Sequence, residues 1–514
     1  MGKKNKKARA VKAPVIDMPA MANMADRIRA SYDAARNGNE YANIWANADR
    51  YDADSANSRD VRHTLISRSR YEIGNNGFSD GIAQTYATDM IGVGPSLRMQ
   101  TGSTALNQLI ELTWERWSKA VNLRSKLWTM AHAKHSDGEA FGVIRRNPAV
   151  RHPIKLDVTL IEAEQCQTPM LPFDVADGGY IDGIRFDEFG NPVWYEFLTE
   201  HPGATGRVDL TGNTEKIPAE FVLHWFKRRR PGQHRGVPEM ASTLNVGAAA
   251  RRWREATLAA AENVADFSMV VKTQNLPDDA DPVAPFSTMD ITKRMMAFMP
   301  AGWDPMQLKA EFPTATHEAF SKSLINEQAR PKSMPLNKAM ANSADYNYAS
   351  GRLDHQTYYS SIDIERADGD EQVLDKLFDA WLPEAIVAFG WFGGNPRVVS
   401  ESGLSHTWDW PKHQVADIKA EADANQTKLQ SGQIGLHRLY SDCGYDLEDE
   451  IPEMAQTFGV DESEIRKRLL DICLPAAPQP AAPMQQPEPP PPAAASLSRI
   501  FPALNGNGAT NGKH

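Results

Sequence analysis

The chain has 514 residues, with 56 lysine or arginine and 66 aspartate or glutamate residues, so its formal net charge is −10. This acidic balance argues against a general nucleic-acid-binding protein, which is normally basic, and the length allows a sizeable core in two or more substructures. Cys166, Cys443 and Cys473 leave no disulfide framework or zinc-finger spacing, so we expect a reducing compartment; no apolar run is long enough to span a bilayer.

The first residues are polar and rich in lysine, and no apolar segment follows them, so they are not a secretory signal. We predict a disordered basic arm over residues 1–25, suited to contact nucleic acid or an acidic partner. Ser58 then begins the first predicted helix. Val61, Leu65 and Ile66 are expected on its apolar side, with Arg62, Arg68 and Arg70 outside.

An Asn75-Asn76-Gly77 break separates this helix from a second one, predicted over Phe78–Ile91. The second helix ends at Gly92-Val93-Gly94-Pro95. That segment lacks the third glycine of a dinucleotide-binding fingerprint and follows a helix instead of a strand, so we reject that function for it. A tryptophan-rich helix comes next, with Leu106, Leu109, Ile110, Trp114 and Trp117 at helical spacing.

His132, His135, Asp137 and Glu139 lie close together in the sequence. Two histidines three residues apart, with carboxylates nearby, are possible zinc ligands. The HExxH pattern is missing, however, and Gly138 interrupts any shared helical face. We favour the alternative, in which a helix ends here and turns into a strand.

From Ile154 to Phe226 the pattern changes to strands and turns, which predicts an antiparallel β segment. Apolar residues alternate from Leu156 to Ile161. A strand is predicted over Tyr180–Phe186, followed by a turn and a hairpin partner over Val193–Leu198. We expect the carboxylates of this segment to be exposed to solvent.

The chain is organised around the stretch from Arg228 to Phe267, where a basic turn leads into a long helix. Gly232 and Gly236 permit unusual backbone angles, and Pro238 suits the first helical position. The predicted helix is about 30 residues, or roughly 45 Å, long. Ala249, Trp253, Ala256, Ala260, Val264 and Phe267 form its apolar stripe. Periodicity alone is equally typical of a long core helix in any large globular protein.

After this helix we predict an acidic loop over 275–285 and a shorter helix over Thr288–Met299. Further helices are expected from Phe320 to Arg330, from Tyr358 to Trp381 and from Ala416 to Leu429. The tail beyond Pro475 is rich in proline, alanine and glutamine, and we predict that it is disordered.

The sequence contains no recognisable catalytic motif. A Walker A loop, a GxSxG elbow and a supported Cys/His pair are all missing, and five residues separate Gly506 from Gly512 where a phosphate loop has four. The acidic group at Asp52, Asp54 and Asp60 lacks the glycine and glutamate of a calcium loop. A packaging ATPase is therefore nearly excluded, whereas a nuclease that uses scattered carboxylates stays open.

One segment resembles a known family. Arg230-Pro231-Gly232-Gln233, followed by Arg235-Gly236-Val237-Pro238, is similar to the central signature of the lambda-type bacteriophage portal proteins. A second segment, Asn347-Tyr348-Ala349-Ser350-Gly351-Arg352, resembles the family's Asn-Tyr-Ser-Ser-x-Arg, with Ala349 as a departure. Further similar segments occur in the expected order between Ser58 and Glu453.

The resemblance implies an α+β fold, mainly helical, with wing, stem, clip and crown regions, an antiparallel β segment in the wing and disordered termini. The implied regions are a basic arm (1–25), the N-terminal wing (26–235), stem helices with a clip loop (236–300), the C-terminal wing with a channel loop (301–411), a crown-like helical region (412–474) and a disordered tail (475–514).

The resemblance also implies a function without catalysis, cofactor or bound metal. Copies of the chain would form a ring, expected to be a dodecamer, at one capsid vertex of the virion after assembly in the host cytoplasm. The ring would pass double-stranded DNA without regard to sequence and would bind the terminase, the major capsid protein and head-completion proteins. Lys272, Lys293 and Arg294 are candidate DNA contacts, although a solvated helix face explains them equally well. The alternatives are a capsid-associated scaffold without a channel and the nuclease.

Overall fold

The computed structural model describes residues 45–168, 179–205, 213–266, 270–273, 303–306, 316–344, 346–397, 404–413, 418–442, 445 and 447–473. The chain divides into two compact units, 1–414 and 415–514. Helices and antiparallel sheets are mixed in the first unit, as the α+β prediction requires. In the described ranges, none of the helices has the length and apolarity needed to cross a membrane.

The first unit begins with helices. They are α1 (Ala53–Ala56), α2 (Arg59–Asn75), α3 (Gly77–Ile91), α4 (Thr104–Ala120) and α5 (Leu123–Asp137), with strand β1 (Ser96–Met99) between α3 and α4. The sequence predicted α2, α3, α4 and the end of α5, but not α1. Asn76 has an extended backbone and its side chain accepts a hydrogen bond from the N–H of Phe78, so it ends α2 and caps α3.

The predicted orientation of α2 was wrong in two places. Val61 is 44% exposed, whereas Arg62 is only 1% exposed. Arg62 lies inside because its guanidinium pairs with the carboxylate of Asp182 and donates to the carbonyl of Asn57. Both partners lie outside α2, so helical periodicity could not indicate them.

Two antiparallel sheets follow. The first consists of β2 (Glu139–Arg146), β3 (Leu156–Ile161) and β8 (Val222–Phe226), in the order β3-β2-β8. The second consists of β4 (Tyr180–Ile181), β5 (Ile184–Phe186), β6 (Pro192–Leu198) and β7 (Thr214–Pro218), paired in chain order.

The second sheet corrects two predictions. The strand expected over Tyr180–Phe186 is a hairpin, because Asp182 and Gly183 both have positive φ angles, 38° and 85°, and reverse the chain. Glu196 is not exposed to solvent: it is 3% exposed and accepts a hydrogen bond of 2.7 Å from the hydroxyl of Thr214.

The long predicted helix is α6 (Leu244–Asp266), which begins later than expected. Pro238 is not its first residue, because tight turns fold residues 238–243: the N–H of Ala241 donates to the carbonyl of Pro238. Beyond α6, β9 (Val270–Thr273) pairs with β10 (Trp303–Met306) in antiparallel register. The loop over 275–285 and the helix over Thr288–Met299 lie outside the described residues, as do the basic arm and the tail.

The rest of the described first unit is mainly helical. It contains α7 (His317–Ala329), α8 (Leu336–Met340), α9 (Tyr348–Gly369) and α10 (Asp375–Phe389). A π-helical segment, Asp370–Leu374, joins α9 to α10, and strand β11 (His406–Asp409) pairs with β1. The helix predicted from Tyr358 therefore starts earlier. The main core of this unit contains an aromatic group: Trp114, Trp117, Phe378, Trp381 and Trp408 contact one another with ring centroids about 5 to 6 Å apart.

The second unit contains four described helices, α11 (Ile418–Gln430), α12 (Leu436–Asp442), α13 (Leu447–Phe458) and α14 (Glu462–Cys473). Its small core is formed by Leu447, Ile451, Ala455 and Ile465. The helical run expected from Ala416 to Leu429 corresponds to α11. Its assignment to a crown stays a prediction.

Candidate functional site: the arginine turn and its buried ion pairs

The segment singled out in the sequence begins with a tight turn at Arg230–Gln233. The N–H of Gln233 donates to the carbonyl of Arg230 at 3.2 Å, and Gly232 has a φ angle of 72°. Proline at the second turn position and glycine with positive φ at the third are what a type II turn requires. The sequence therefore fixes this turn locally.

The side chain of Gln233 fastens the turn to both neighbouring stretches of backbone. Its Oε1 accepts hydrogen bonds from the N–H groups of Arg229 and Arg230, at 2.8 and 3.3 Å, and its Nε2 donates to the carbonyl of Arg235 at 2.8 Å. Gln233 is only 5% exposed. An alanine at this position would leave these buried backbone groups without partners.

The chain after the turn lies directly against the junction of α5 and β2. A Cβ atom added to Gly236 would lie 2.2 Å from the carbonyl oxygen of Gly138. Gly138 ends α5 with a φ angle of 89°. The two backbones approach this closely because neither residue has a side chain, and the approach places Glu139 beside Arg235.

Glu139 and Arg235 form a buried ion pair at this contact. Arg235 Nη2 donates to Glu139 Oε1 at 2.6 Å, and the N–H of Gly236 donates to Oε2 at 2.8 Å. Burial alone would raise the pKa of Glu139, but the charge of Arg235 and these hydrogen bonds hold the pKa well below its ordinary value. Glu139 is therefore ionised at neutral pH.

His224 of β8 contacts the same carboxylate. Its Nε2 lies 3.1 Å from Glu139 Oε2, and its Nδ1 lies 3.4 Å from the hydroxyl of Tyr195. Burial lowers the pKa of His224 to about 4, although Glu139 opposes this shift. A neutral imidazole satisfies both contacts when Nε2–H donates to Glu139 and Nδ1 accepts from Tyr195.

Three arginines converge on the tip of the β4–β5 hairpin. Arg235 Nη1 donates to the carbonyl of Asp182 at 2.5 Å, Arg59 Nε donates to the Asp182 carboxylate at 3.2 Å, and Arg62 pairs with the same carboxylate. We call these three arginines, with Glu139 and Asp182, the arginine cluster. It joins α2, the α5–β2 junction, the hairpin and the turn segment.

A second buried group, the lysine cluster, lies where the turn segment approaches α5 and α9. Lys134 Nζ donates to Glu365 at 2.5 Å and to Glu239 at 3.3 Å, and Lys332 pairs with both carboxylates. Tyr86 donates its hydroxyl to Glu365 at 2.5 Å. Because breaking such a buried pair leaves an uncompensated charge, the cluster fixes the position of Glu239 just before α6.

Among the described residues, the first half of α6 contacts other parts of its own chain, whereas some side chains further along are exposed. Arg251 pairs with Glu72 of α2 at 3.3 Å, and the ring of Trp253 stacks on His317 with centroids 4.4 Å apart. Further along, Ala256 is exposed and Leu258 is 61% exposed. Of the predicted apolar stripe, Ala249 and Ala256 are exposed, whereas Trp253 and Ala260 are half-buried.

The second motif forms the start of α9. Asn347 is the N-cap residue: its Oδ1 accepts hydrogen bonds from the N–H and the hydroxyl of Ser350, at 2.9 and 3.0 Å. Arg352 is exposed one turn later. The side chains of Tyr348 and Ala349 lie outside the described part of the structure.

The residues considered as metal ligands in the sequence do not converge. Asp137 pairs with Arg70 at 2.7 Å, Glu139 pairs with Arg235, and the ring of His132 stacks on Trp128. The helix end and turn into β2 is therefore the right interpretation of this stretch.

A different group, which sequence reasoning missed, does converge: Glu162, Glu164 and His201. Arg70 Nη1 already lies 2.9 and 2.8 Å from the two carboxylates. His201 Nδ1 accepts from the N–H of Gly203 at 3.0 Å, so the imidazole proton is on Nε2, which donates to Glu164 at 2.8 Å. A metal bound at Nε2 would need the opposite tautomer, so hydrogen bonds and ion pairs explain this group better.

The candidate DNA contacts are only partly within the described structure. Lys272 lies in β9, opposite Asp304 of β10. Lys293 and Arg294 lie outside the described residues. All three stay predictions.

Comparison with known proteins gives consistent results. A family model described as "Phage portal protein, lambda family" matches residues 42–366, which is more than half of the chain. The probable portal protein of Halomonas phage phiHAP-1 is 22% identical over 437 residues, covering 79% of this chain and 82% of that protein.

Similar chains also occur among solved structures. A chain in the virion of a native gene transfer agent particle has a TM-score of 0.42 at 14% identity, and one in the neck of the native particle computed with C12 symmetry has a TM-score of 0.40 at 13% identity. In both cases the match covers 74% of this chain and 93% of the other.

Proposed function

Because this chain belongs to the lambda family of phage portal proteins, we propose that its copies form a closed ring at one capsid vertex, through which double-stranded DNA enters during packaging and leaves at ejection. The observation that carries the proposal is the family match over residues 42–366, which includes both the arginine turn and the motif at Asn347. A ring of twelve copies is the expected form.

The geometry of α6 supports assembly into a ring. Its 23 residues make a rod about 35 Å long. The two buried clusters and the contacts of Arg251 and Trp253 fix the base of this rod. Ala256 and Leu258 are both exposed and lie on opposite faces of the helix, because two residues correspond to about 200° of rotation, so each can be covered by a neighbouring copy on its own side. We assign α6 to the stem.

The charge of the chain suits a conduit. Each lysine or arginine that neutralises a DNA phosphate releases counterions and increases affinity, so a strongly basic channel would hold DNA instead of letting it slide. A net charge of −10 avoids this. In this proposal Lys272, Lys293 and Arg294 provide only weak contacts that do not depend on sequence.

The proposed role is structural. Within the described residues, the buried ionisable groups of the two clusters pair with one another and hold elements together, and we assign no catalytic residue, cofactor or metal. The partners we propose are the terminase, the major capsid protein and head-completion proteins, with the ring assembled in the host cytoplasm and retained in the virion. The wing, channel-loop and crown boundaries predicted from the sequence form part of this proposal.

The test is the assembly state of the purified full-length protein. Light scattering and negative-stain microscopy should show closed rings with a central channel. Leu258→Asp should prevent ring formation and leave a folded single chain, because a charge would be buried between neighbouring stems; Leu258→Ala should still form rings. A stable single chain from the wild type, or particles without a channel, would contradict the proposal, and the second result would favour a scaffold.

A further inference from the structure

Arg228, Arg229 and Arg230 follow β8 directly and are all exposed. The guanidinium of Arg228 lies over the ring of Phe226, 5.5 Å from its centroid, and Arg230 Nη2 donates to the carbonyl of Tyr51 at 3.0 Å. Over the described residues, none of the three guanidinium groups forms an ion pair with a carboxylate. Arg235, only five positions later, is fully buried and paired.

The backbone that carries these arginines is rigid. The side chain of Gln233 binds the N–H groups of Arg229 and Arg230, and the type II turn follows immediately. A rigid base lowers the entropic cost of ordering the side chains on binding. The backbone of Arg229 and Arg230 is therefore held in place, while the three side chains extend to different neighbours along one exposed segment.

The surroundings add positive charge. Lys376, in the first turn of α10, is half-buried; burial lowers its pKa, and the charge of Arg228 lowers it further. Lys227 donates to Glu365 at 3.0 Å, but Lys134 and Lys332 already share that carboxylate. The carboxylates whose charges act on the arginines are Glu365 for Arg229 and Asp52 for Arg230, against the positive charges of Arg228, Arg229, Arg230 and Lys376.

We propose that this patch, formed by Arg228, Arg229, Arg230 and Lys376, binds phosphate groups of the DNA backbone. The inference rests on the proposed function, which brings DNA to the ring. Guanidinium groups match phosphate geometry and stay charged at any physiological pH. The long side chains let separate guanidinium groups reach separate phosphates of the duplex, whose strands carry a regular array of negative charge.

This contact is independent of sequence, because phosphates carry no base information. It is also weak, because carboxylates lie close by. Asp52 lies near Arg230, and Asp54 bonds His234 at 2.7 Å on the other side of the turn, so carboxylates limit how closely DNA approaches. A weak contact that salt disrupts is compatible with DNA that must move past the patch.

The experiment measures the affinity of a short DNA duplex for the full-length protein at several salt concentrations. Changing Arg228, Arg229 and Arg230 together to glutamine should weaken binding and reduce the salt slope by up to about three, at roughly one per phosphate contact. A matched control changes three exposed arginines elsewhere, Arg68, Arg146 and Arg151, to glutamine and should leave the slope unchanged. The triple lysine variant of the turn should keep most of the slope.

The outcomes separate this inference from the proposed function. Equal slopes for the turn variant and the control would overturn the phosphate contact, even if rings form and bind DNA. A turn variant that is folded but no longer forms rings would also overturn it, because the arginines would then contact carboxylates of a neighbouring copy. The slope is measured on whatever assembly the wild type forms, so the failure of ring formation is detected independently.

Discussion

Gly138 and Gly236 are 98 positions apart in the sequence, yet their backbones touch where no side chain fits. A Cβ atom on Gly138 would lie 2.1 Å from the carbonyl carbon of Val237, and one on Gly236 would lie 2.2 Å from the carbonyl oxygen of Gly138. This contact brings the arginine turn segment against the α5–β2 junction. The arginine cluster lies on one side of this contact and the lysine cluster on the other.

Gly236→Ala should therefore destabilise the protein by at least about 3 kcal/mol, because the added methyl group meets backbone that cannot move aside cheaply. Urea unfolding of the variant measures the change. Gly81→Ala is the control: Gly81 lies within α3 with open space around it, and alanine there should be neutral or stabilise by up to about 1 kcal/mol. Equal stabilities of the two variants would show that the close approach is not real.

Glu139→Gln should cost about 3 to 5 kcal/mol at neutral pH, because the charge of Arg235 would stay buried without its partner. The folded-state pKa of Glu139 is lowered, so its contribution is present above the ordinary value of 4.5 and is lost as the pH falls towards the folded value. The variant should lose less stability than the wild type on acidification below pH 4.5. Glu215→Gln, which breaks an exposed pair with Arg145, should change stability by less than about 1 kcal/mol.

His224 gives a separate pH dependence at a higher pH. Its pKa is about 4 in the folded protein against an ordinary value of 6.5, so the unfolded chain binds the proton more readily. Stability is complete above pH 6.5 and should fall between pH 6.5 and 4, by at most about 1.4 kcal/mol per pH unit. In urea titrations at several pH values, His224→Gln should flatten this region. An unchanged slope would contradict a buried neutral histidine.

Asp370 predicts a pH dependence of stability with the opposite sign to that of His224. Burial raises its pKa to about 7, a shift that the hydrogen bond from Trp410 opposes and Asp375 reinforces. Its contribution to stability is present below the ordinary value of 3.8 and is lost as the pH rises to about 7. Asp370→Asn keeps an oxygen for Trp410 and should be more stable than the wild type above pH 7, with the difference shrinking below it. Thermal unfolding at pH 5 and pH 8 tests this, and a gain at pH 5 alone would refute it.

Local sequence signals predicted the elements that depend on local chemistry. The break at Asn76 follows from a side chain that caps its own neighbour, and the turn at Gly232 follows from proline and glycine in the positions that the turn requires. Helical spacing placed α2, α3, α4 and α6 correctly in outline. Several ordered segments, above all the arginine turn, were enough to indicate the family.

Local sequence signals failed where contacts with residues distant in the sequence decide burial or the start of a helix. Periodicity placed Arg62 outside, but Asp182, 120 positions away, holds it in the interior. The start of α6 was placed too early because Pro238 suits a helix start, whereas its segment is fixed in tight turns by contacts with α5, including the bond from the Glu239 N–H to the His135 carbonyl at 3.2 Å. The Asp182–Gly183 reversal is different: Asp-Gly between apolar residues is itself a local hairpin signal, and the prediction of a single strand overlooked it.

The sequence by itself determined helices α2 to α4, the turn at Arg230–Gln233 and membership of the portal family, since these depend on spacing and on residue types within a few positions. Only the tertiary structure decided which charges are buried and which stay outside. Arg235 is neutralised by Glu139, 96 positions away, whereas Arg228 to Arg230 find no carboxylate partner in the described part of the chain. The physical reason is that a charge can be buried only beside an opposite charge, and the fold sets which charges meet.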